Sequence, residues 1–255
     1  MAVSANTLFH FTGIDNLKSI LSSQYFYPQY SEEHFEAILP PKSNFRIALI
    51  PLISFCDLTI IQLSRDSVHT LNFGGYGIGL TKTWGIRMKI SPVIYVHKNS
   101  QPSNQLYKLI RLFRKYSKDS VHQEPIITAR KELLDSFKFI KPYQGKWQKN
   151  KLISEENDDI IYYNEREWRY CPPLSDFKVL SGVKPASRKL KEGLNSKLKY
   201  NQVRFKPNEI KFIVLKRNSE IDEFVTIINN MSIDQKQKNE LITRIITFEE
   251  INEDY

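Results

Sequence analysis

Hydrophobic and polar positions follow two different periods along the chain, and each change of period predicts a new element. A period of two, which is typical of strands, runs through TLFHFTG and ends at a glycine turn. The next segment, IDNLKSILSSQ, places four apolar side chains on one helical face: Ile14, Leu17, Ile20 and Leu21. The N-terminus is therefore predicted to form a strand, a turn and a helix.

Longer apolar runs predict further strands around a helical segment. One run occupies FRIALIPLISFCDL and indicates a buried strand with a bend at Pro51, and another strand is predicted at SPVIYVHK. Glycines alternate with aromatic residues in GGYGIGLTKTWGI, and this segment together with the strand at SPVIYVHK suggests a hairpin or a closely spaced strand pair. Helical periodicity over residues 101–141 predicts a helical insertion, and a late strand is predicted at IYYNEREWRYCP.

The last third of the chain combines a basic segment with mixed secondary structure. We predict a basic loop at about residues 184–206, a strand at IKFIVLK, a helix from EIDEFVTIINN and a last strand at RIITFEEI. Strands and helices interleave without regular βαβ spacing, which favours an α+β fold. The chain of 255 residues can bury one full core, so we expect a single domain, residues 1–255.

Charge and cysteine content narrow the class of protein. The formal net charge of +9 favours an acidic partner, with nucleic acid as the first candidate, although a solvated basic surface explains the same excess. The two cysteines, Cys56 and Cys171, are too few for a disulfide framework and lack metal-ligand spacing. No apolar stretch reaches transmembrane length. We expect a soluble cytoplasmic protein with no metal and no membrane partner.

Two carboxylates in YNEREWRY form the first candidate site. If residues 161–170 are one strand, Glu165 and Glu167 lie on the same face. Such a pair is commonly an exposed face that pairs with neighbouring arginines. The aromatic flanks argue for shielding from water, which suits a general base or a group that stabilises positive charge.

Two further segments carry candidate binding groups. In FHFT, His10 and Thr12 share a strand face and offer a ring nitrogen and a hydroxyl to a sugar or amide, although a histidine there is commonly a core residue. In YGIGLTKTWG, the glycines permit close approach by a ligand, Tyr76 and Trp84 suit stacking on a flat ring, and Lys82 suits a phosphate. A plain hairpin with packing glycines accounts for the same segment.

An ordered set of motifs resembles a known family. The set comprises LFHFTGIDNLKSIL, FYPQYSEEHF, IPLISFCDL, YGIGLTKTWGI, SPVIYV, FIKPYQGKW and NEREWRYCP. It resembles the AbiGi-type abortive-infection family of bacterial phage-defence proteins, from the N-terminus to about residue 173. The early His-x-Thr strand, a central aromatic and a late glutamate strand also resemble the ADP-ribosyltransferase fold, including the DarT-like enzymes that modify nucleic acid.

The second resemblance implies an NAD site on a split β-sheet core. It makes Glu167 the catalytic glutamate and Glu165 the carboxylate that orients the acceptor, while His10 and Thr12 hold the nicotinamide ribose. It places an aromatic ring on the nicotinamide, either Tyr76 or Tyr30, and leaves the middle position of the catalytic motif unassigned. A carboxylate beside the ribose would stabilise the positive charge that develops when the glycosidic bond breaks. On this interpretation Glu167→Gln folds normally and loses transfer activity.

The expected function follows from these residues together. We predict an NAD-dependent mono-ADP-ribosyltransferase, a toxin or effector of phage defence that needs a neutralising antitoxin and modifies nucleic acid, with RNA preferred over DNA. The basic segment carries eight Lys or Arg against one Glu and suggests the phosphate contacts Lys189, Lys191, Lys197, Lys199 and Arg204. One alternative is a non-catalytic antitoxin-type binding protein, and another is a nucleic-acid-binding module. An enzyme should show its carboxylates in a cleft with His10, whereas a binding protein should show them paired on the surface.

Overall fold

The computed structural model describes residues 5–36, 38–39, 47–65, 73–116, 123–145, 160–173, 178–180 and 186–253. Within these ranges the strands are β1 Thr7–Thr12, β2 Tyr25–Phe26, β3 Gln29–His34, β4 Ile47–Cys56, β5 Tyr76–Thr81, β6 Ser91–Pro92, β7 Ile94–Val96, β8 Ile140–Pro142, β9 Glu167–Tyr170, β10 Lys178–Leu180, β11 Val203–Arg204, β12 Ile210–Leu215 and β13 Ile245–Thr247. The α-helices are α1 Ile14–Ser23, α2 Ile60–Arg65, α3 Lys82–Arg87, α4 Gln101–Tyr116, α5 Gln123–Ser136, α6 Arg188–Asn195, α7 Ile221–Asn229, α8 Gln235–Ile242 and α9 Phe248–Glu253. Strands and helices both occur without a regular βαβ repeat, which fits the predicted α+β class.

A nine-stranded sheet organises the described part of the chain. Its main path is β13-β12-β5-β1-β4-β9-β6, and β3 and β10 also pair with β4. Neighbouring strands are antiparallel except for β12 and β13, which are parallel. Two small sheets accompany it, an antiparallel pair of β2 with β11 and a parallel pair of β7 with β8. The sheet places β1 and β9, the strands that carry the predicted site, on either side of β4.

Strand β4 joins the two halves of this sheet. Residues 47–52 pair with β3 along their length, and residues 53–56 pair with β9. Its ten residues are buried or half-buried, which explains why the sequence shows a continuous apolar run rather than an alternation. The buried strand predicted at this position is therefore confirmed. Whether the whole arrangement is an ADP-ribosyltransferase-like split sheet stays a prediction.

The two faces of the sheet pack under different helices. One face, which we call the α1 face, carries Leu8, Phe55 and Ile78 and packs against α1, α3 and α7. The opposite face, the α2 face, carries Phe9 and Val214 and packs against α2 and α9. Over the β3–β4 half, the α2 face continues under α4 and α5, which are the helices of the predicted insertion. This insertion is confirmed over residues 101–116 and 123–136.

Several local predictions differ from the structure. Residues 161–170 do not form one strand, because Tyr162–Glu165 is a 3₁₀ helix and β9 begins only at Glu167. Arg166 lies between them in the left-handed region with φ of 43° and reverses the chain. The predicted hairpin after Tyr76 is a strand followed by helix α3, whose N-cap side chain, Thr81, accepts a hydrogen bond from the Trp84 amide.

The basic segment is also more regular than predicted. It contains helix α6, the 3₁₀ helix Ser196–Leu198 and strand β11 rather than one loop, and residues 184–185 lie outside the described ranges. Helix α6 folds because Leu190 and Leu194 pack against a small cluster that contains Tyr30 and Leu49. The last predicted strand, RIITFEEI, is confirmed only over Ile245–Thr247, since a helix begins at Phe248.

Candidate functional site

Glu167 is the first residue of β9 and is almost fully buried, with 4% of its surface exposed. Its Oε1 accepts hydrogen bonds from Ser54 Oγ at 2.7 Å and from Arg169 Nε at 2.7 Å. Its Oε2 accepts from Lys141 Nζ at 2.7 Å and from an Arg169 terminal nitrogen at 3.0 Å. A carboxylate offers about four acceptor positions, so these donors fill the capacity of Glu167.

Other charged side chains extend this arrangement into a buried cluster. Arg169 is fully buried and reaches Glu33 Oε2 at 2.8 Å as well as the Lys138 carbonyl oxygen at 3.0 Å. Lys141 on β8 also donates to Glu165 Oε2 at 2.5 Å. We call Glu33, Lys141, Glu165, Glu167 and Arg169 the Glu167 cluster. It joins β3, β8 and β9, which come from three separate parts of the sequence.

The electrostatics of the cluster favour the fully charged state. Burial by itself raises the pKa of Glu167, but Arg169 and Lys141 outweigh burial and hold this pKa well below its ordinary value. Burial lowers the pKa of Lys141 and of Arg169, whereas the neighbouring carboxylates raise both above their ordinary values, with Glu167 the strongest. Glu167 is therefore an anion held by two cations, which is unlike a general base poised near neutral pH.

His10 lies on the other face of the sheet. Phe9 pairs with Cys56 and Cys56 pairs with Glu167, so Phe9 and Glu167 share the α2 face, and His10, next to Phe9, points to the α1 face. The His10 ring packs against Phe26 and Phe55, with centroid distances of 5.2 and 5.6 Å. The prediction that His10 and Glu167 converge on one cleft is wrong, because neighbouring side chains of a strand point to opposite faces.

The environment of His10 is that of a core histidine. Its Nδ1 lies 2.8 Å from the Ser54 carbonyl oxygen. Burial lowers the pKa of His10, and the bond to Ser54 opposes that shift only in part. Ser54 thus contacts both candidate residues, His10 through its backbone carbonyl and Glu167 through its hydroxyl. The two residues are connected through the backbone of β4 and do not face a common space.

Thr12 and Tyr76 do lie together, since they are register partners on β1 and β5. The Thr12 hydroxyl accepts from Asn16 Nδ2 at 3.0 Å. The Tyr76 hydroxyl donates to Glu220 Oε1 at 2.6 Å, and Lys216 Nζ lies 5.0 Å from the ring centroid. Burial and this hydrogen bond raise the pKa of Tyr76 to about 12. The ring expected on nicotinamide is therefore in contact with the protein's own side chains.

Tyr30 and Lys82, the other two predicted cofactor contacts, lie elsewhere. Tyr30 is buried in the small cluster under α6, and its backbone N–H donates to Asn195 Oδ1 at 2.8 Å. Lys82 is the first residue of α3, donates to Asp57 Oδ2 at 2.7 Å and lies 5.3 Å from the Trp168 ring centroid. Lys82 therefore lies beside Trp168, the residue after Glu167, but on the opposite face of the sheet, and Tyr30 lies under α6.

The glycines of YGIGL do permit a close approach, but by the protein itself. A Cβ on Gly79 would lie 2.7 Å from Phe9 Cε1, and a Cβ on Gly77 would lie 2.7 Å from Phe11 Cε1. The two phenylalanine rings of β1 therefore lie flat across the glycines of β5, in register. The space that a ligand would need on this face is filled by Phe9 and Phe11.

A surface depression of about 400 Å³ lies near the start of β1. Its lining residues are Ala5, Thr7, Phe9, Leu58, Thr59, Ile60, Ile61 and Phe212. This lining is largely apolar and includes none of the residues predicted to bind NAD. Among the described residues, no group of three or more His, Cys, Asp or Glu side chains could hold a metal ion.

The predicted phosphate contacts are more accessible. Lys189, Lys197, Lys199 and Arg204 are exposed, and Lys191 is half-buried with its Nζ 3.6 Å from Glu32 Oε2. They lie on α6, on the 3₁₀ helix that follows it and on β11. The prediction of an exposed basic surface in this segment is confirmed, while its ligand stays a prediction.

The sequence placed Arg169 on the same face as Glu167, two residues away, and offered the neighbouring arginines as its partners. It did not point to Glu33, Ser54 or Lys141, which complete the contacts of the Glu167 cluster. Glu33, Ser54 and Lys141 could not be recognised in this way, since each lies on a different strand far away in the sequence.

Comparison with known proteins places the chain in a family. A family model described as "Putative abortive phage resistance protein AbiGi, antitoxin" matches residues 24–216. "Abortive phage resistance protein AbiGi" from Lactococcus lactis subsp. cremoris is 25% identical over 250 residues, which cover 90% of this chain and 99% of that protein. No solved structure gives a significant match. None of the helices in the described ranges is both long and apolar enough to cross a membrane. Since the family match spans most of the sheet, including the strand that carries Glu167, the chain belongs to the AbiGi family of abortive phage resistance proteins.

Proposed function

We propose that the protein is a non-catalytic binding component of an abortive-infection system, an antitoxin-type protein that neutralises a partner by direct contact. The observation that carries this proposal is the state of Glu167. Its two oxygens accept four hydrogen bonds from Ser54, Lys141 and Arg169, and only 4% of its surface is exposed. A carboxylate that stabilises a ribosyl cation needs an oxygen open to the substrate, and protein donors fill the acceptor positions of this one.

The description of the family supports an antitoxin role, because it names an antitoxin. A protein of this kind needs a rigid body with accessible surfaces and needs no polar cleft. The Glu167 cluster fits that requirement, since it fastens β3, β8 and β9 together beneath α4 and α5. Its chemistry is that of a structural ion cluster.

The NAD-dependent ADP-ribosyltransferase remains a prediction that the geometry does not favour. Transfer would require Glu167 to leave both Arg169 and Lys141, and it would require His10 to reach the opposite face of the sheet. Both changes involve buried groups of the central strands.

Expression of the chain alone, of the companion protein encoded with it, and of both together tests the proposal. We expect the chain alone to leave growth unchanged, the companion to arrest growth, and co-expression to restore growth and yield a complex that survives gel filtration. The purified chain should transfer no label from NAD to pools of RNA, DNA or protein. Growth arrest by the chain alone, together with transfer of label, would overturn the proposal and restore the enzyme.

A further inference from the structure

A short ribbon beside α6 presents an aromatic and basic surface to solvent. Strands β2 and β11 pair antiparallel, with Tyr25 opposite Arg204 and Phe26 opposite Val203. Phe26 and Val203 are buried in the main core, so their neighbours along each strand point outward. The outward side of the ribbon therefore carries Tyr25 and Arg204.

Aromatic rings and cations lie in contact on this outward side. Arg204 Cζ lies 5.3 Å from the Tyr25 ring centroid, and the Tyr25 and Tyr27 rings meet edge to face at 5.7 Å. Lys199 Nζ lies 4.8 Å from the centroid of Tyr200, in the turn that leads into β11. We call Tyr25, Tyr27, Lys199, Tyr200 and Arg204 the ribbon patch.

Exposure and rigidity distinguish this patch from an ordinary surface. Tyr200 is 81% exposed and Tyr27 is 48% exposed, so a ligand can reach both rings. The backbone beneath them is fixed, because Trp84 Nε1 donates to the Arg204 carbonyl oxygen at 3.0 Å and the Phe205 amide donates to Gln24. The rings therefore stand on a scaffold that is already in place before a ligand binds.

The charge around the patch has one sign. Lys197, Lys199, Arg204 and Lys206 are all exposed along one short stretch of chain, and residues 196–206 contain no acidic side chain. Glu192 on the neighbouring helix forms an ion pair with Arg188 at 2.7 Å. The ligand that complements such a surface carries repeated negative charge and flat rings.

We propose that the ribbon patch binds single-stranded nucleic acid, with Tyr25, Tyr27 and Tyr200 stacking on unpaired bases and Lys199 and Arg204 contacting phosphates. Stacking on aromatic rings needs bases that are free of a partner strand, and cations beside the rings track the backbone. A duplex offers phosphates but keeps its bases stacked inside the helix. This inference goes beyond the proposed antitoxin role, and its test needs neither NAD nor a toxin.

Fluorescence anisotropy with labelled oligonucleotides of about 16 nucleotides tests the proposal. The probes are oligouridylate, oligothymidylate of the same length, a duplex of that length, and polyglutamate as a polyanion without bases. We expect both single strands to bind more tightly than the duplex and polyglutamate. The ratio of the two single-strand affinities then distinguishes RNA from DNA as the natural ligand.

Two variants separate stacking from charge. Tyr27→Ala with Tyr200→Ala should weaken single-strand binding by roughly five-fold or more per tyrosine and leave the salt dependence unchanged. Lys199→Gln with Arg204→Gln should reduce the slope of log affinity against log salt by about 1.4, since each single-strand phosphate contact contributes about 0.7.

The matched control is a similar pair at the end of α4, where Lys115 Nζ lies 5.3 Å from the Tyr116 ring centroid. Lys115→Gln with Tyr116→Ala should bind single strands like the wild type. The proposal is overturned if no oligonucleotide binds, if polyglutamate or the duplex binds as tightly as the single strands, or if the tyrosine variant keeps wild-type affinity. It is also overturned if the control variant loses as much as the tyrosine variant.

Discussion

The Glu167 cluster and the ribbon patch each contain one lysine and one arginine, but these cations lie in opposite environments. In the cluster, Glu167 and Arg169 are buried and hydrogen-bonded to each other. In the ribbon patch, Arg204 and Lys199 are exposed and lie beside tyrosine rings. The sequence predicted catalytic residues in the cluster, yet its carboxylates are hydrogen-bonded to cations of the protein. The side chains of the ribbon patch, in contrast, are accessible to a ligand.

The difference in burial determines whether a substitution in each region affects stability or binding. Burying charges costs several kcal/mol per ion, and only well-placed partners offset the cost, so removing one partner from the cluster exposes that cost. Exposed charges contribute little to stability because water and salt screen them. Changes in the cluster should therefore alter folding, and changes in the patch should alter binding.

The largest effect is expected for Glu167→Gln, which removes the charge that Arg169 and Lys141 neutralise. Because Arg169 is fully buried, we expect the free energy of unfolding to fall by about 3 kcal/mol. This is the opposite of the folding behaviour expected from the sequence alone. Urea unfolding of the purified variant measures the loss.

The control for this variant is Glu192→Gln, which breaks the exposed pair with Arg188 on α6. Here the loss should be about 0.3–0.5 kcal/mol, as for other exposed pairs on helices. Equal losses in the two variants would show that burial does not distinguish the cluster from the surface.

A buried glycine on β5 and an exposed glycine on α6 give the next contrast. A Cβ on Gly79 would lie 2.7 Å from Phe9 Cε1 and 2.8 Å from Thr7 Cγ2, so Gly79→Ala should cost about 1–3 kcal/mol of stability. A Cβ on Gly193, in α6, meets nothing within 4 Å, so Gly193→Ala should stabilise by up to about 1 kcal/mol. Thermal unfolding should show a lower melting temperature for Gly79→Ala and a higher one for Gly193→Ala than for the wild type. A stabilising Gly79→Ala would contradict the packing of Phe9 across β5.

The pH dependence of stability probes the half-buried His10. Because its pKa is lowered from 6.5 in the folded protein, the unfolded chain binds a proton first as pH falls. Stability should therefore decrease below pH 6.5, by at most about 1.4 kcal/mol per pH unit, while it should be insensitive to His10 above that pH.

Urea unfolding should show that the free energy of unfolding of His10→Gln depends less on pH than that of the wild type between about pH 5 and 7. This pH range lies above the one in which Glu167 takes up a proton. An unchanged profile in His10→Gln would place the proton uptake elsewhere.

The smallest effect per site on stability is expected from four lysines of the basic segment, of which Lys191 is half-buried and the other three are exposed. Changing Lys189, Lys191, Lys197 and Lys199 together to glutamine should alter the free energy of unfolding by less than about 0.5 kcal/mol per site. The same variant should bind single-stranded oligonucleotide more weakly at moderate salt, because phosphate contacts are lost. If wild-type binding does not depend on salt, the basic segment is a solvated surface with no role in binding a polyanion.

Sequence patterns predicted many of the elements because their signals are local. The first strand and helix, the buried strand β4, the helical insertion and strand β12 all follow from spacing of apolar residues. The late strand was predicted too long, because tyrosines and Asn164 in Tyr162–Glu165 form a 3₁₀ turn that hydrophobic period does not reveal. Pattern alone also placed Glu165 on a strand that begins two residues later.

The sequence by itself determined the α+β composition, the exposed basic segment and the family, since each depends on local order along the chain. The tertiary structure was needed to establish which candidate residues lie together and which are neutralised by other side chains. The pairing of β4 between β1 and β9 sent His10 and Glu167 to opposite faces, and the fold brought Glu33 and Lys141 to the carboxylates from distant segments. The cations that neutralise a buried carboxylate come from whichever strands pack beside it. The spacing of residues within one segment does not determine which distant strands those are.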